Sequence, residues 1–424
     1  MSGSADRALA ARLLVRVEGG DFAAPLLERV PGGAVRTRVL GVLRWRALLD
    51  EALGRHLRRP LDRLDPEVRA VLRIGVLEAA VVGVPAPVAV DGAVHAVRAV
   101  GKGSASGLVN AVLRRAVRTA EGLRRDGPPW VRLSHPRWLV ERWIRAFGEG
   151  RALGALEADQ EPAGLWAWFA DGAPSGLRRH PWVAGAVAPD GDPGTVLEAV
   201  RAGRAFVQDP ASQLVAHLAA DLAADGAGPV ADLCAAPGGK SALLARRLSG
   251  RRGVALDLHV SRTRFVRRRL AGAGDAPWLG VAADGRRPPL APGSVPFVLL
   301  DAPCSGTGTL RRHPEIRWRL SPDDLPGFAR LQRELLRSAA GLLAPGGTVL
   351  YTTCSLEPEE NEDVVEAVAR EEGLEPVALD GMVPEGAGAV RAGTAGVRLL
   401  PGPDNDGFTL HALRRTDGSP GAGS

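Results

Sequence analysis

The sequence predicts an α/β chain, with a doubly wound parallel-sheet domain in its second half and an all-α helical domain in front. Three observations predict it. Residues 5 to about 120 repeat apolar side chains at three- and four-residue spacing, the period of amphipathic helices. From 206 onward, continuous apolar runs alternate with helical stretches, as strands covered on both faces do. The 424 residues exceed one typical domain, and 45% hydrophobic content is ample for separate cores.

The front helices follow in order. "ADRALAARLLVRVEGG" and "TRVLGVLRWRALLDEALGRHL" carry the helical period. "LDPEVRAVLRIGVLEAAVVG" comes next, with Pro66 at an early helical position and Asp65 as its N-cap. "VPAPVAVDGAVHAVRAVG" and "SASGLVNAVLRRAVRT" complete the set, and "DGPPW" (126–130) marks the exit. Residues 1–130 are therefore expected to form one helical domain.

Residues 131–205 read as a connecting α/β subdomain, an aromatic-rich helix "PRWLVERWIRAFGEG" followed by short strands and Gly/Pro turns. Residues 206–415 supply the strands "PVADLC", "GVALDL", "WLGVAA", "PFVLLDA" and "GTVLYTTCS". Between them lie helices such as "KSALLARRLSG", "SRTRFVRRRLAG" and "FARLQRELLRSAAGLLAPGG". The tail, 416–424, is expected to be disordered.

Charge separates the two halves. Residues 1–130 hold 21 Arg/Lys against 13 Asp/Glu, a balance of +8, whereas the whole chain is +6. A basic front domain before a near-neutral remainder predicts a polyanionic partner, nucleic acid rather than membrane. No run approaches the ~20 apolar residues of a membrane span, and the first residues lack a secretory apolar core. Three widely spaced cysteines make neither a disulfide framework nor a C-x-x-C zinc pair, and none of the eight histidines pairs with them at ligand spacing. A cytoplasmic, metal-free monomer is expected.

The first candidate site is "DLCAAPGGKS" (232–241). A P-loop would need glycine at 234, where Cys234 stands, and G-x-G-x-x-G is absent. A strand ending in Asp232, a Pro-Gly-Gly turn and a helix from about Lys240 still place a ligand at the carboxyl end of the sheet. The next strand ends in Asp257, eighteen residues after Gly239, suited to accept ribose hydroxyls. Asp284 and Asp301 end the third and fourth strands, so four carboxylates are expected on one rim. A ribose carboxylate without phosphate chemistry predicts a nucleoside cofactor lacking polyphosphate, which S-adenosylmethionine fits.

The second candidate site is a pair of thiols. Cys304 in "DAPCSGTG" and Cys354 in "YTTCSLEPEENED" follow the fourth and fifth strands, which a doubly wound sheet sets side by side. Beside a methyl donor a thiol has one clear use. Pyrimidine C5 is a poor nucleophile, and a thiolate added at C6 makes it enamine-like. Asp301 is near enough in sequence to hold the N3/N4 edge of the base. Chemistry alone leaves open which cysteine attacks.

These residues resemble the RNA (cytosine-5) methyltransferases of the Sun/Fmu type. "DLCAAPGGKS", "DAPCSGTGTLRRHPEIRW" and "YTTCSLEPEENEDVV" are similar to that family's cofactor loop and two cysteine motifs, and "FVQDPASQLV" (206–215) to the lead-in of its catalytic domain. "LDPEVRAVLRIG" and "SASGLVNAVLRR" resemble the NusB-like RNA-binding domain that the family carries in front. The resemblance implies a Rossmann-like S-adenosylmethionine-dependent methyltransferase domain behind a NusB-like domain. It implies 5-methylcytosine formation in 16S ribosomal RNA, at the cytosine the family numbers 967. Cys234, Ala235, Ala236, Pro237, Gly238, Gly239 and Lys240 would wrap the cofactor, Asp257 take the ribose, Asp284 lie near the adenine, and Asp301 sit between cofactor and base. Cys354 corresponds to the nucleophile and Cys304 to the residue that releases product. Thr409 stands where relatives often have an aromatic residue, and "VDGAVHAVRAV" is a looser match.

Arg311, Arg312, His313 and Arg317 follow the Cys304 loop and are expected to grip the RNA strand. The target cytosine must be unstacked, hence in a loop or flipped. Two rivals stand beside this reading: the same chemistry on another RNA, or a non-catalytic assembly or antitermination factor. The intact Cys304, Cys354, Asp257 and Asp301 weigh against the second.

Overall fold

The computed structural model describes residues 3–30 and 32–416, so most of the tail expected to be disordered lies outside the described residues. The chain divides into two compact units. The first runs to Pro162 and takes in Leu310–Arg319, and the second holds Ala163–Thr309 and resumes at Leu320.

The first unit is helical. α1 (Gly3–Glu18), α2 (Gly33–Gly54), α3 (Pro66–Leu77), α4 (Ala86–Ala99) and α5 (Ser106–Asp126) bury their apolar stripes in one core. Asp65 occupies the N-cap position of α3, but its carboxylate makes no capping bond and pairs instead with Lys102 at 3.2 Å. Part of the arginine surplus is internal: Arg7 and Arg38 share the buried Glu78, and Arg73 bridges Glu18 and Asp50. α6 (Arg137–Phe147) and α7 (Glu149–Ala158) continue the unit, with Leu139, Val140 and Trp143 buried. The helical unit therefore extends beyond the boundary expected at 130.

The second unit opens with a small sheet of β1 (Ala167–Phe169), β2 (Arg178–Arg179), β3 (Val187–Ala188) and β4 (Ala205–Val207), ordered β2-β3-β1-β4. α8 (Pro210–Ala223) leads into the main sheet. The boundary expected at 205 divides no compact unit, because Trp166, Val183 and Ala188 share a core with Leu214, Val215 and Leu218 of α8.

The main unit then alternates as predicted: β5 (Val230–Asp232), α9 (Gly239–Arg247), β6 (Gly253–Asp257), α10 (Val260–Leu270), β7 (Trp278–Ala282) and β8 (Val295–Asp301). α11 (Leu325–Leu342), β9 (Leu343–Thr353), α12 (Glu362–Glu372), β10 (Leu374–Val377), β11 (Val390–Ala392), β12 (Gly396–Leu399) and β13 (Phe408–Arg415) complete it. The order β7-β6-β5-β8-β9 is parallel, and β13 closes it antiparallel to β9. Strand order reverses between β5 and β8, the switch point where such sheets bind ligands. The apolar run of β8 serves both faces: Phe297 and Leu299 join the α8 side, Val298 and Leu300 the α11 side.

Trp278, at the start of β7, lies across the face of Gly253, its indole N–H donating to Arg251 O at 3.0 Å. A Cβ at 253 would overlap the ring. Gly253→Val is expected to lower unfolding free energy by about 1–3 kcal/mol through overpacking, measured by urea denaturation against wild type.

Candidate active site

The carboxyl ends of β5, β6 and β8 carry Asp232, Asp257 and Asp301, with Asp284 two residues beyond β7. They do not act alike. Asp232 is sealed inside, 1% exposed, accepting from Ser241 Oγ at 2.6 Å and Cys234 N at 3.3 Å. Burial pushes its carboxyl up to about 7. Asp232 therefore braces the turn from within, and the expectation of four rim carboxylates reduces to three. Asp257 accepts the N–H of Ala236 on one oxygen at 3.3 Å and that of His259 on the other at 3.0 Å. Asp284 is gripped by Arg286 at 2.8 Å, which lowers its pKa.

The turn between β5 and α9 depends on Gly238, at φ +98°, where an added Cβ would also fall 2.9 Å from Val266 Cα. Pro237 stands exposed at the tip and Lys240 opens the helix, its Nζ 2.7 Å from Asp301 Oδ2. Burial opposes the Lys240 charge, but Asp301, Cys354 and Asp232 together outweigh burial, and the ammonium's pKa is raised. This donor set suits S-adenosylmethionine. Lys240, the one lysine of the turn, is already paired with Asp301. Asp257 keeps lone pairs for ribose hydroxyls, and Leu258, 59% exposed beside it, offers an apolar shelf for a base.

Cys304 and Cys354 meet, with sulfurs 3.1 Å apart and both thiols free. The register of β8 on β9 pairs Asp301 with Thr352, so both chains leave the sheet together. The two sulfurs have different neighbours. The hydrogen bond to Cys354, then burial, then the charges of Cys354, Glu360 and Asp301 hold the Cys304 thiol well above the usual range. Cys304 therefore keeps its proton. Cys354 lies within the field of the Lys240 ammonium, whose own pKa it helps to raise. That Nζ also sits 4.9 Å from the Phe408 ring. Burial, then Asp232, Asp301 and Asp257, drive the Cys234 thiol up as well.

Behind the thiols lies a buried polar shell that sequence reading missed. Glu360 accepts from Ser305 N at 2.8 Å, Gln332 Nε2 at 2.9 Å and Ser355 Oγ at 2.6 Å. Thr409, noted above only as a departure from relatives, donates to Ser355 O at 2.8 Å. The acidic turn "LEPEEN" looks solvated in sequence, yet Glu357 and Glu360 are both buried, and nothing local marks them.

Arg311 and Arg317 do not lie on an RNA-facing surface. They are 2% and 1% exposed, within Leu310–Arg319 of the helical unit. Arg317 donates to Ser134 O at 3.1 Å and Leu310 O at 3.2 Å, while Arg311 O accepts from Arg44 at 2.8 Å. Desolvation lowers Arg317 to about 10 and raises the neighbouring Asp159 to about 7. These are internal braces, and their removal from water excludes the strand-gripping role. Arg312 and His313 are half-buried, and burial lowers the His313 pKa.

A turn that offers carboxylates where a P-loop offers phosphate ligands, at the switch point of this sheet, defines a Rossmann-like S-adenosylmethionine-dependent methyltransferase. Comparison with known proteins narrows the class. The family described as 16S rRNA methyltransferase RsmB/F matches residues 220–414, and the NusB family matches 4–118. A ribosomal RNA small subunit methyltransferase B of Thermus thermophilus is 38% identical, covering 98% of this chain and 99% of that protein. One from Xanthomonas campestris pv. campestris is 35% identical, covering 96% of each. The crystal structure of PH0851 shares the fold over 98% of this chain and 99% of that one, with 23% identity and a TM-score of 0.75. The chain belongs to the RsmB/F family of methyltransferases. Among the described residues no helix is long and apolar enough to cross a membrane.

A carboxyl whose folded pKa lies above its ordinary value takes up a proton on folding. Its stabilising contribution is present at low pH and is lost as pH rises from about 4 to about 7. Asp232→Asn keeps an acceptor for Cys234 N–H and lets Ser241 accept instead. The variant is expected to lose the part of the pH dependence that Asp232 contributes across that window, read as the difference in thermal unfolding between variant and wild type.

Proposed function

We propose that this chain transfers a methyl group to C5 of a cytosine in 16S ribosomal RNA, with Cys354 attacking C6. The observation that carries the reading is the 3.1 Å pair of sulfurs beside the Lys240–Asp301 ion pair. S-adenosylmethionine would be held by Cys234–Lys240, Asp257, Asp284 and Asp301 and would supply an electrophilic methyl on a sulfonium, leaving as the neutral thioether. Lys240 lies in the field of the attacking sulfur, and Asp301 accepts from the cytosine amino group and orients the ring.

As the Cys354 sulfur bonds to C6, the C5=C6 pair moves to C5, where the methyl group is taken. The C5 proton then leaves to solvent, the double bond returns and the carbon–sulfur bond breaks. The departing thiolate is received by the hydrogen bond of the Cys304 thiol, whose raised pKa keeps the donor in place. The helical unit, basic over residues 1–130, docks the RNA, with Arg312 and His313 as strand contacts. The target is met before or during small-subunit assembly, while its base is still unpaired. A reducing cytoplasm suits sulfurs this close, which oxidising conditions would couple.

Cys354→Ala is expected to abolish methyl transfer. Cys304→Ala is expected to accumulate a covalent protein–RNA adduct on a denaturing gel. The opposite pattern would exchange the two roles. Bisulfite sequencing of ribosomal RNA from a deletion strain should lose one small-subunit 5-methylcytosine, and an unchanged small-subunit profile would favour another RNA.

A further inference from the structure

We propose that Glu360 is a positioning residue for this reaction, a single buried carboxylate that grips the residue after each reactive cysteine and so sets the spacing of the two sulfurs. The inference rests on the two-thiol reading above. Glu360 is 0% exposed and does not reach the cleft. One carboxylate oxygen accepts Ser305 N–H at 2.8 Å and Gln332 Nε2 at 2.9 Å, and the other accepts Ser355 Oγ at 2.6 Å and Ser305 Oγ. Gln332 Nε2 donates as well to Pro303 O at 2.8 Å, so Cys304 is pinned through both of its chain neighbours. Glu360 is itself anchored, its carbonyl accepting from Tyr351 Oη at 2.5 Å.

Among the described residues no lysine or arginine pairs with this carboxylate. Burying a carboxylate without a cation is costly, and four neutral donors offset only part of that cost. An apolar core side chain would be cheaper there but would hold neither serine. The retained charge acts on Cys304, which faces Cys354, Asp301 and Glu360, with Lys240 offsetting Asp301 on the far side and Tyr351 beneath.

Reach and charge separate by substitution. Glu360→Asp keeps the charge but is one methylene short. Glu360→Gln keeps the reach: its carbonyl can face the two N–H donors while the serine hydroxyls turn to accept its amide. For Glu360→Asp, kcat on 16S RNA is expected to fall about 100-fold, the scale of a misplaced reacting group. KM for RNA and affinity for S-adenosylmethionine should stay within about twofold of wild type on the same argument. Glu360→Gln is expected to restore most of kcat and to move the pH midpoint of Cys304 alkylation by iodoacetamide downward, read by mass spectrometry without RNA. Wild-type kcat in the aspartate variant, or an unmoved alkylation midpoint in the glutamine variant, would overturn the proposal. Failure of the wild-type chain to methylate 16S RNA would defeat the functional reading instead, leaving the alkylation comparison as a separate test of the clamp.

Discussion

The site depends on the parallel pairing of β8 with β9. Their register sets Asp301 opposite Thr352, and the ladder reaches one step further through Ala302 N–H to Thr352 O at 2.9 Å. Beyond it each strand turns out of the sheet, one carrying Cys304 and the other Cys354. A slip of one residue would send every side chain of the strand to the opposite face. Side chains packed on both faces of β8 make such a slip expensive, so the core fixes the register from which the two cysteine loops leave the sheet. The loops then lock each other: Gly308 N–H donates to Cys354 O at 2.8 Å, and Leu356 N–H to Thr307 Oγ1 at 2.9 Å. Gly308 has no room for a Cβ, which would overlap Gly407 and lie 2.9 Å from Cys354 O.

Lys240 links the cofactor turn to the thiols. It begins the helix after the glycine turn, yet its ammonium is held by Asp301 from the neighbouring β8. The same group thus satisfies a carboxylate at the cofactor rim and presents positive charge to Cys354. One ion pair borders both the glycine turn and the thiols, and neither partner is left as an uncompensated charge in a partly dry cleft.

Much of this was legible in the sequence because the strands are buried on both faces and read as unbroken apolar runs. The two cysteines could be paired in space because fourth and fifth strands adjoin in a doubly wound sheet. Asp232 was misplaced for a subtler reason: a strand-end aspartate aims outward or inward according to whether a partner such as Ser241 waits behind it, and Ser241 lies nine residues on. Arg311 and Arg317 were misread because nearness in sequence to a catalytic loop says nothing about the unit a segment joins. At Leu310 the chain enters the helical unit, where both arginines are buried and the Arg317 guanidinium donates to backbone carbonyls. Glu360 was hidden among Glu357 and Glu359, since acid-rich turns are ordinarily solvated.

The three cysteines, all at strand ends, show how identical groups acquire different chemistry. Cys234 is surrounded by burial and by the carboxylates Asp232, Asp301 and Asp257, which together disfavour its anion. Cys304 is held protonated by its neighbour sulfur, by burial and by Glu360 and Asp301. Cys354 lies within the field of the Lys240 ammonium, whose pKa it helps to raise. A thiolate is the reactive species in additions to carbon, so the placement of Lys240 and of the carboxylates Asp232, Asp257, Asp301 and Glu360 supports the roles proposed for the two facing sulfurs. In the mechanism proposed above, the sulfur beside the cation attacks, and its neighbour, held as a thiol, is placed to receive it.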